Sequence, residues 1–332
     1  MTKIFTVEEV KRLITMDDVI KSVEKTFLGL ADGTVINPTK VTLDLGESAP
    51  YPPYEGFFNA MPAYIGYQDV AGIKWVGGIA GGRKKAGLPF ICGIIVLADP
   101  RIGRFLAVLD GAYITDLRTG AQTAVALKYI FKNKKKLKIS IYGAGMQART
   151  QTLAISKCFD IEELRVYDVN QEASEKFKKE MEETVKGVIM ICEKPEDACH
   201  GDAVICVTQA KERIVRADWV KPGTVIFPMG SYQEIENAVI EQADMIIVDH
   251  IGQALHRGAL KDLNQQGKLT ERDITATIGE LVKGSVSIGP IIDRKIICVP
   301  IGTGAMDVAV AGIFYEKATA LGLGVDFNIT GE

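Results

Sequence analysis

A glycine-rich turn after an apolar, strand-like run has the residue types and spacing of a dinucleotide-binding loop. Gly143 and Gly145 begin the pattern Gly-x-Gly-x-x-Ala, which Ala148 completes at the start of a helical run. Gly143 permits the tight turn, Gly145 lets backbone N–H groups approach a pyrophosphate, and the N-terminus of the following helix favours the phosphates. Asp168 ends the next strand-like run, 25 residues after Gly143. Its carboxylate can accept hydrogen bonds from both ribose hydroxyls and would repel a 2′-phosphate, so the motif predicts NAD rather than NADP.

Two cationic side chains in the first third of the chain could hold a carboxylate. Lys74 lies in an apolar strand-like run between Ile73 and Trp75, and Arg118 lies near the start of a helix predicted over 112–131. Arginine offers a bidentate fork and lysine a point charge. Burial in such a strand would lower the pKa of Lys74 toward the range of proton transfer. Two plainer interpretations stay open, a lysine that points to solvent and an arginine in a salt bridge between domains.

The elements that must position these residues differ between the two parts of the chain. The first third combines antiparallel-type strands with helices. After Asp168, helices alternate with near-continuous apolar strands, which is typical of a parallel sheet buried on both faces. A helix of small residues is predicted over 302–321, and it could pack back on the first part. We therefore predict an α/β protein in which a Rossmann domain at 119–304 is inserted into an α+β domain at 1–118 plus 305–332.

Composition and charge exclude several classes of protein. The 332 residues carry a formal net charge of −3, which gives no basic surface for nucleic acid or an anionic membrane. No apolar run approaches the ~20 residues that span a bilayer, and the start lacks a signal-peptide pattern, so we expect a cytoplasmic protein. The six cysteines are scattered without a Cys-x-x-Cys pair, and the three histidines form no constellation with them, so no metal site is predicted. The lysines at 132–138 are interpreted as a solvated helix end.

Four segments, in order and spacing, resemble the ornithine cyclodeaminase and mu-crystallin family. They are Met61–Tyr64 with Gly72–Trp75, Leu109–Gly111 with Leu117–Ala121, Gly143–Arg149, and Gly302–Asp307. The family includes cyclodeaminases, archaeal-type alanine dehydrogenases and reductases of small cyclic imines. The resemblance implies a homodimer joined through the substrate domain, with substrate and nicotinamide meeting in a cleft between the domains.

The resemblance also implies which residues bind substrate and cofactor. Lys40, Lys74 and Arg118 match the positions that hold the substrate carboxylate, and Lys74 matches a residue with a proton-transfer role. The implied cofactor-binding residues are Arg118, Thr119, Gly143, Ala144, Gly145, Met146, Gln147, Asp168, Thr208, Met229 and Gly230.

The chain departs from the family pattern at a position that holds the substrate carboxylate and at positions that hold a distal amine. Lys40 replaces an arginine, and Phe90 replaces a threonine. Asn59 and Tyr232 stand where cyclodeaminases carry a glutamate and an aspartate for the distal amine, and Glu234 could substitute only if its loop is remodelled. Because a buried ammonium needs a compensating charge, these residues suggest a substrate with an uncharged side chain.

Three functions are compatible with these residues. The first is an NAD-dependent oxidoreductase that interconverts a small α-amino acid and its imino or keto acid, like alanine dehydrogenase or a ketimine reductase. The second is a cyclodeaminase lyase that transiently reduces NAD and regenerates it. The third is a binder of nucleotide and ligand without catalysis, as mu-crystallin-like proteins suggest. Retention of Lys74 and Arg118 together favours catalysis.

Overall fold

Two compact units divide the chain in a computed structural model, which describes residues 1–46, 54–79, 81–210, 212–230, 233–328 and 331. Unit 1 consists of Met1–Arg118 and Thr303–Glu332, and unit 2 of Thr119–Gly302. Unit 2 is therefore an insertion within the sequence of unit 1. No described helix combines the length and hydrophobicity needed to cross a membrane.

Unit 1 is a mixed sheet with helices. Its elements, numbered in chain order, are β1 (Thr2–Ile4), α1 (Val7–Leu13), α2 (Met16–Asp32), β2 (Val35–Ile36), β3 (Val41–Asp44), β4 (Gly56–Ile65), β5 (Val70–Ile79), α3 (Gly81–Lys85), β6 (Ile91–Asp99), β7 (Arg104–Asp110), the start of α4 (Ala112–Ile130), α12 (Gly304–Ala320) and β16 (Val325–Phe327). The strand order is β16-β1-β7-β6-β5-β4-β2, and β3 also pairs with β4. Only β1 and β7 pair in parallel among these described strands.

The small residues of α12 allow this helix to lie close to the sheet. A Cβ on Gly304 would lie 2.5 Å from the carbonyl oxygen of Met61 in β4, so only glycine fits there. Asn37 accepts a hydrogen bond of 3.0 Å from the backbone N–H of Ala305 and so satisfies a donor of the first turn. The start of α12 is thereby held against β4, with Asp307 one turn further along the helix.

Unit 2 is a Rossmann-type domain. After most of α4 its elements are β8 (Lys136–Tyr142), α5 (Met146–Cys158), β9 (Asp160–Tyr167), α6 (Gln171–Met181), β10 (Val188–Ile191), α7 (Pro195–Ala198), β11 (Ala203–Cys206), β12 (Val225–Pro228), α8 (Asn237–Glu241), β13 (Met245–Val248), α9 (Ile251–Ala254), α10 (Lys261–Gln265), β14 (Ala276–Thr277), α11 (Ile278–Lys283) and β15 (Ile296–Val299), with 3-10 turns at Ala217–Trp219, Gly258–Leu260 and Glu271–Asp273. The strand order is β10-β9-β8-β11-β12-β15-β13-β14, and every strand pair is parallel.

The sheet of unit 2 reverses its winding between β8 and β11, because β9 lies on one side of β8 and β11 on the other. Ligands of open α/β sheets bind at the carboxyl ends of the strands at such a switch point. The α/β fold class is confirmed. The sequence interpretation missed β15, which inserts between β12 and β13 although it follows both in the chain.

Candidate active site

Lys74 is buried because of the alternation of side chains along β5. Its neighbour Trp75 is 54% exposed, whereas Lys74 is 1% exposed and lies opposite buried residues on both adjacent strands, Met61 of β4 and Ile95 of β6. Successive strand residues point to opposite faces, so Lys74 points to the face on which α12 packs. The interpretation of Lys74 as a lysine that points to solvent is therefore wrong.

Asp307 of α12 supplies the counter-charge for Lys74. The Nζ atom of Lys74 lies 2.7 Å from Oδ2 of Asp307, and both side chains are essentially inaccessible to solvent. Lys74 also donates a hydrogen bond of 3.1 Å to Oγ1 of Thr115 in α4. Lys74 therefore contacts Asp307 as an ion pair and Thr115 through a hydrogen bond.

Arg118 contacts the other oxygen of the same carboxylate. Its Nε atom lies 3.1 Å from Oδ1 of Asp307, and its side chain is 7% exposed. Thr115 and Arg118 lie three residues apart on α4 and therefore on one face of that helix. Two buried cations thus share one carboxylate, and the hydroxyl of Thr115 lies between Lys74 and that carboxylate, 3.2 Å from Asp307 Oδ1.

The pKa values of Lys74 and Asp307 are both lowered, for different reasons. Burial and the neighbouring charge of Arg118 lower the pKa of Lys74 to about 8, although Asp307 acts in the opposite direction. Burial alone would raise the pKa of Asp307, but Arg118 and Lys74 hold it below its ordinary value. At neutral pH the cluster therefore holds an ionised carboxylate and a lysine close to its titration range, as proton transfer requires.

The other predicted substrate-binding residues lie on unit 1 or outside the described residues. Asn59 of β4 is buried on the same face as Lys74, and its Oδ1 accepts a hydrogen bond of 2.7 Å from Thr42 of β3. Lys40 is half-buried and immediately precedes β3. Tyr232 lies outside the described residues, so its predicted role stays a prediction.

The glycine loop of unit 2 has an open surface toward the start of α5. Gly143 has a φ of +96°, and Gly145 is the N-cap of α5 without a side-chain hydrogen bond. A Cβ on Gly145 would meet no atom within 4 Å. The first N–H groups of this 13-residue helix therefore have no side-chain cap to compete with a phosphate. Ala144 is buried, and Met146 and Gln147, the first two residues of α5, are exposed and half-buried.

Asp168 and Arg149 hold this loop from two sides. Oδ2 of Asp168 accepts a hydrogen bond of 2.7 Å from the backbone N–H of Ala144, which places the carboxylate beside the loop. Arg149 of α5 donates to the carbonyl oxygens of Ala144 at 2.6 Å and Gly145 at 2.9 Å, and it forms an ion pair with Glu180 of α6. The loop is thus preorganised by charge-assisted hydrogen bonds.

Thr208 lies shortly after β11, and Met229 and Gly230 follow β12. All three lie at the carboxyl edge of the sheet, where β8 ends in the glycine loop. The backbone N–H and the hydroxyl of Thr208 donate to Oε1 of Glu234 at 2.7 and 2.8 Å. Sδ of Met229 lies 3.5 Å from the hydroxyl of Thr123. Thr119, the first residue of unit 2, accepts a hydrogen bond of 3.3 Å from Gln151 of α5 through its carbonyl oxygen.

Comparisons with known proteins identify the family. The model of the ornithine cyclodeaminase/mu-crystallin family matches residues 1–321. The chain belongs to this family. Alanine dehydrogenase of Archaeoglobus fulgidus is 35% identical, with 97% of each chain covered. Among solved structures, an archaeal alanine dehydrogenase dimer with bound NAD is 33% identical, has a TM-score of 0.88 and is matched over 99% of each chain. Thermococcus litoralis Δ1-pyrroline-2-carboxylate reductase in complex with NADH and L-proline is 29% identical, has a TM-score of 0.89, and is matched over 98% of this chain and 100% of the other. The resemblance inferred from the sequence is confirmed.

Proposed function

We propose that this protein is an NAD-dependent oxidoreductase that interconverts a small α-amino acid and its imino or keto acid. The observation that carries the proposal is the buried cluster of Lys74, Arg118 and Asp307, in which two cations share one carboxylate. An α-amino or α-imino acid carries a carboxylate, which two neighbouring cations of this kind can bind. The relatives named alanine dehydrogenase and pyrroline-2-carboxylate reductase act on substrates of this kind.

Unit 1 would bind the substrate through Lys74, Arg118 and Lys40. Lys74, which donates one hydrogen bond to Thr115, would donate another to a substrate carboxylate or imine nitrogen. Asn59 brings no negative charge to this face of the sheet. A neutral amide suits an uncharged substrate side chain, whereas a distal ammonium would need a buried carboxylate.

Unit 2 would bind NAD at the glycine loop. Gly145 leaves space for a pyrophosphate, the uncapped start of α5 offers N–H donors, and Asp168 stands beside the loop to accept from the ribose hydroxyls. When bound, the nicotinamide ring accepts or supplies the hydride. Thr119, Thr208, Met229 and Gly230 are the further residues that we assign to cofactor binding. The same carboxylate of Asp168 disfavours the 2′-phosphate of NADP.

Lys74 would move the proton that accompanies the hydride. In the reductive direction the imine carbon gains a hydride and the imine nitrogen gains a proton, which the ammonium of Lys74 donates. In the oxidative direction Cα gives up the hydride and neutral Lys74 accepts the proton from the amine nitrogen, and the resulting imine is released or hydrolysed by water to keto acid and ammonia. A pKa of about 8 suits both tasks, because either form of Lys74 is accessible near neutral pH.

The test is the change in absorbance at 340 nm with NAD or NADH and a panel of substrates. We expect turnover with L-alanine, with pyruvate plus ammonium, or with Δ1-pyrroline-2-carboxylate, and loss of at least about a hundredfold in Lys74→Met and Arg118→Met. Lys138→Met, an exposed lysine of unit 2, is the matched control and should keep full activity. Ammonia release from L-ornithine without net change of NADH would instead establish a cyclodeaminase. Saturable NADH binding without any turnover would leave only a binding function.

We also propose that the protein is a cytoplasmic homodimer joined through unit 1. The face of the sheet opposite α12 carries exposed apolar side chains on β3, β5 and β6, with β4 between β3 and β5. They include Val41 and Leu43 of β3, Trp75 of β5 and Ile94 of β6, which are 69%, 55%, 54% and 45% exposed. Trp75 and Ile94 are direct cross-strand neighbours. A contiguous apolar sheet face of this kind is typical of a homodimer interface, and the related archaeal alanine dehydrogenase was solved as a dimer.

Light scattering after size-exclusion chromatography tests this assembly with a matched pair of substitutions. Ile94→Glu places a charge in the apolar face and should convert the dimer to a monomer. Ile292→Glu introduces the same charge at an isoleucine of unit 2 that is 76% exposed, and it should leave the dimer intact. A wild-type monomer, or a dimer in Ile94→Glu, would contradict this interface.

A further inference from the structure

Glu234 is a buried carboxylate whose surroundings call for an explanation. It is completely inaccessible to solvent, and burial raises its pKa to about 7. Among the residues that the structure describes, its stabilising contacts are N–H and O–H donors rather than a cationic side chain. A buried carboxyl group without a cation costs free energy, so its retention at this position needs a compensating role.

The contacts of Glu234 join the segments that follow two adjacent strands. Its Oε1 accepts from the backbone N–H and the hydroxyl of Thr208, after β11, and the backbone N–H of Gly230, after β12, also stabilises the carboxylate. The backbone of Glu234 is itself fixed, since its carbonyl oxygen accepts from the N–H groups of Ile214 at 2.8 Å and Val215 at 3.1 Å. The carboxylate is therefore a fixed hydrogen-bond acceptor for the segment after β11.

Thr208 in turn packs against the first glycine of the nucleotide loop. A Cβ on Gly143 would lie 2.9 Å from the carbonyl oxygen of Val207 and 3.2 Å from Cγ2 of Thr208. The space between Gly143 and the segment after β11 is therefore too small for a side chain. The position of Thr208 therefore decides how far Gly143 can move, and with it the N–H groups that follow in the loop.

We propose that Glu234 is a positioning residue for the nucleotide loop, which it holds through Thr208 and Gly143. The ligand concerned is the pyrophosphate of the dinucleotide, so this inference rests on the proposed cofactor. Glu234 does not act as the substrate-amine ligand of a cyclodeaminase, because both the side chain and its hydrogen bonds are directed into unit 2. The same geometry explains why a threonine, with both a hydroxyl and a methyl group, stands at 208.

The experiment measures dissociation constants of NADH and ADP-ribose by fluorescence and calorimetry. Glu234→Leu removes the acceptor and should weaken both ligands by about tenfold or more, the equivalent of one lost charge-assisted hydrogen bond. Glu234→Gln keeps an acceptor oxygen for Thr208 and should restore most of the affinity. In steady state the KM for NADH should rise in Glu234→Leu while kcat and the KM for the carboxylate substrate stay unchanged.

Two substitutions at 208 keep the test decisive if Glu234→Leu fails to fold. Thr208→Val keeps the methyl contact and loses the hydroxyl donor, whereas Thr208→Ser keeps the donor and loses the methyl group. Each should weaken NADH and ADP-ribose, and Thr208→Val does so because it leaves the buried oxygen of Glu234 without its hydroxyl donor. Full NADH affinity in Glu234→Leu and Thr208→Val, or weakening of NADH but not ADP-ribose, would overturn the inference. Failure of the wild-type protein to bind NADH would refute the proposed function instead.

Discussion

Replacement of Asp307 by asparagine should destabilise unit 1 and remove most of the activity. The substitution keeps the size of the side chain but leaves Lys74 and Arg118 without their shared counter-charge. Their side chains are 1% and 7% exposed, so neither can reach solvent without repacking. The loss of a buried ion-pair partner typically costs about 3–5 kcal/mol.

The loss of free energy of unfolding is divided between Lys74 and Arg118. Lys74 can avoid an unpaired charge by losing its proton. Because its pKa already lies at about 8, deprotonation of Lys74 at pH 7 costs only about 1 kcal/mol. Arg118 forfeits a charge-assisted hydrogen bond worth about 1.5–3 kcal/mol. We therefore expect Asp307→Asn to lower the free energy of unfolding of unit 1 by about 3 kcal/mol.

Urea unfolding followed by tryptophan fluorescence measures this effect on unit 1 alone. The chain has two tryptophans, Trp75 in unit 1 and Trp219 in unit 2, so a Trp219→Phe background leaves a reporter only in unit 1. Asp326→Asn is the control, because the Lys3–Asp326 pair has side chains 22% and 48% exposed and should contribute less than about 1 kcal/mol. Equal unfolding midpoints for Asp307→Asn and Asp326→Asn would refute the account of the buried cluster.

Two further predictions concern pH and cofactor choice. Because the pKa of Lys74 is about 8, kcat/KM for reduction should fall as pH rises through that value, while kcat/KM for oxidation should rise; profiles that stay flat from pH 7 to 9 would show that Lys74 does not move the proton. Asp168→Ser removes the charge beside the glycine loop and should raise the ratio of kcat/KM for NADPH over NADH by about tenfold or more. An unchanged ratio in initial-rate measurements would place the ribose elsewhere.

The sequence predicts the fold where local patterns carry the information. The Rossmann unit is predicted by Gly143, Gly145 and Asp168. The small residues after Gly302 predict a helix, which α12 confirms. The strand β15 was missed because its place between β12 and β13 depends on long-range pairing. No local pattern encodes that order.

The buried cluster of Lys74, Arg118 and Asp307 could be predicted from the sequence only in part, for the same reason. Lys74 and Arg118 stand out as cations in apolar surroundings, whereas Asp307 lies 189 residues beyond Arg118 in a helix of small residues. Its one signal was a carboxylate within the run of small and apolar residues that opens this helix, where a buried acid needs a partner. Likewise Glu234 could be noticed as an acidic residue near a strand end, but its bond to Thr208 appears only when both segments are placed together.

Transfer of deuterium from labelled NADH tests directly whether the protein passes a hydride between the nicotinamide and Cα of the substrate. NADH carrying two deuterium atoms at nicotinamide C4 is incubated with the wild-type protein and either pyruvate plus ammonium or Δ1-pyrroline-2-carboxylate, and the amino acid is analysed by mass spectrometry. We expect one deuterium at Cα of the product for each NADH oxidised, and strong loss of product in Lys74→Met. Absence of labelled amino acid with every substrate, in protein that binds NADH, would contradict it.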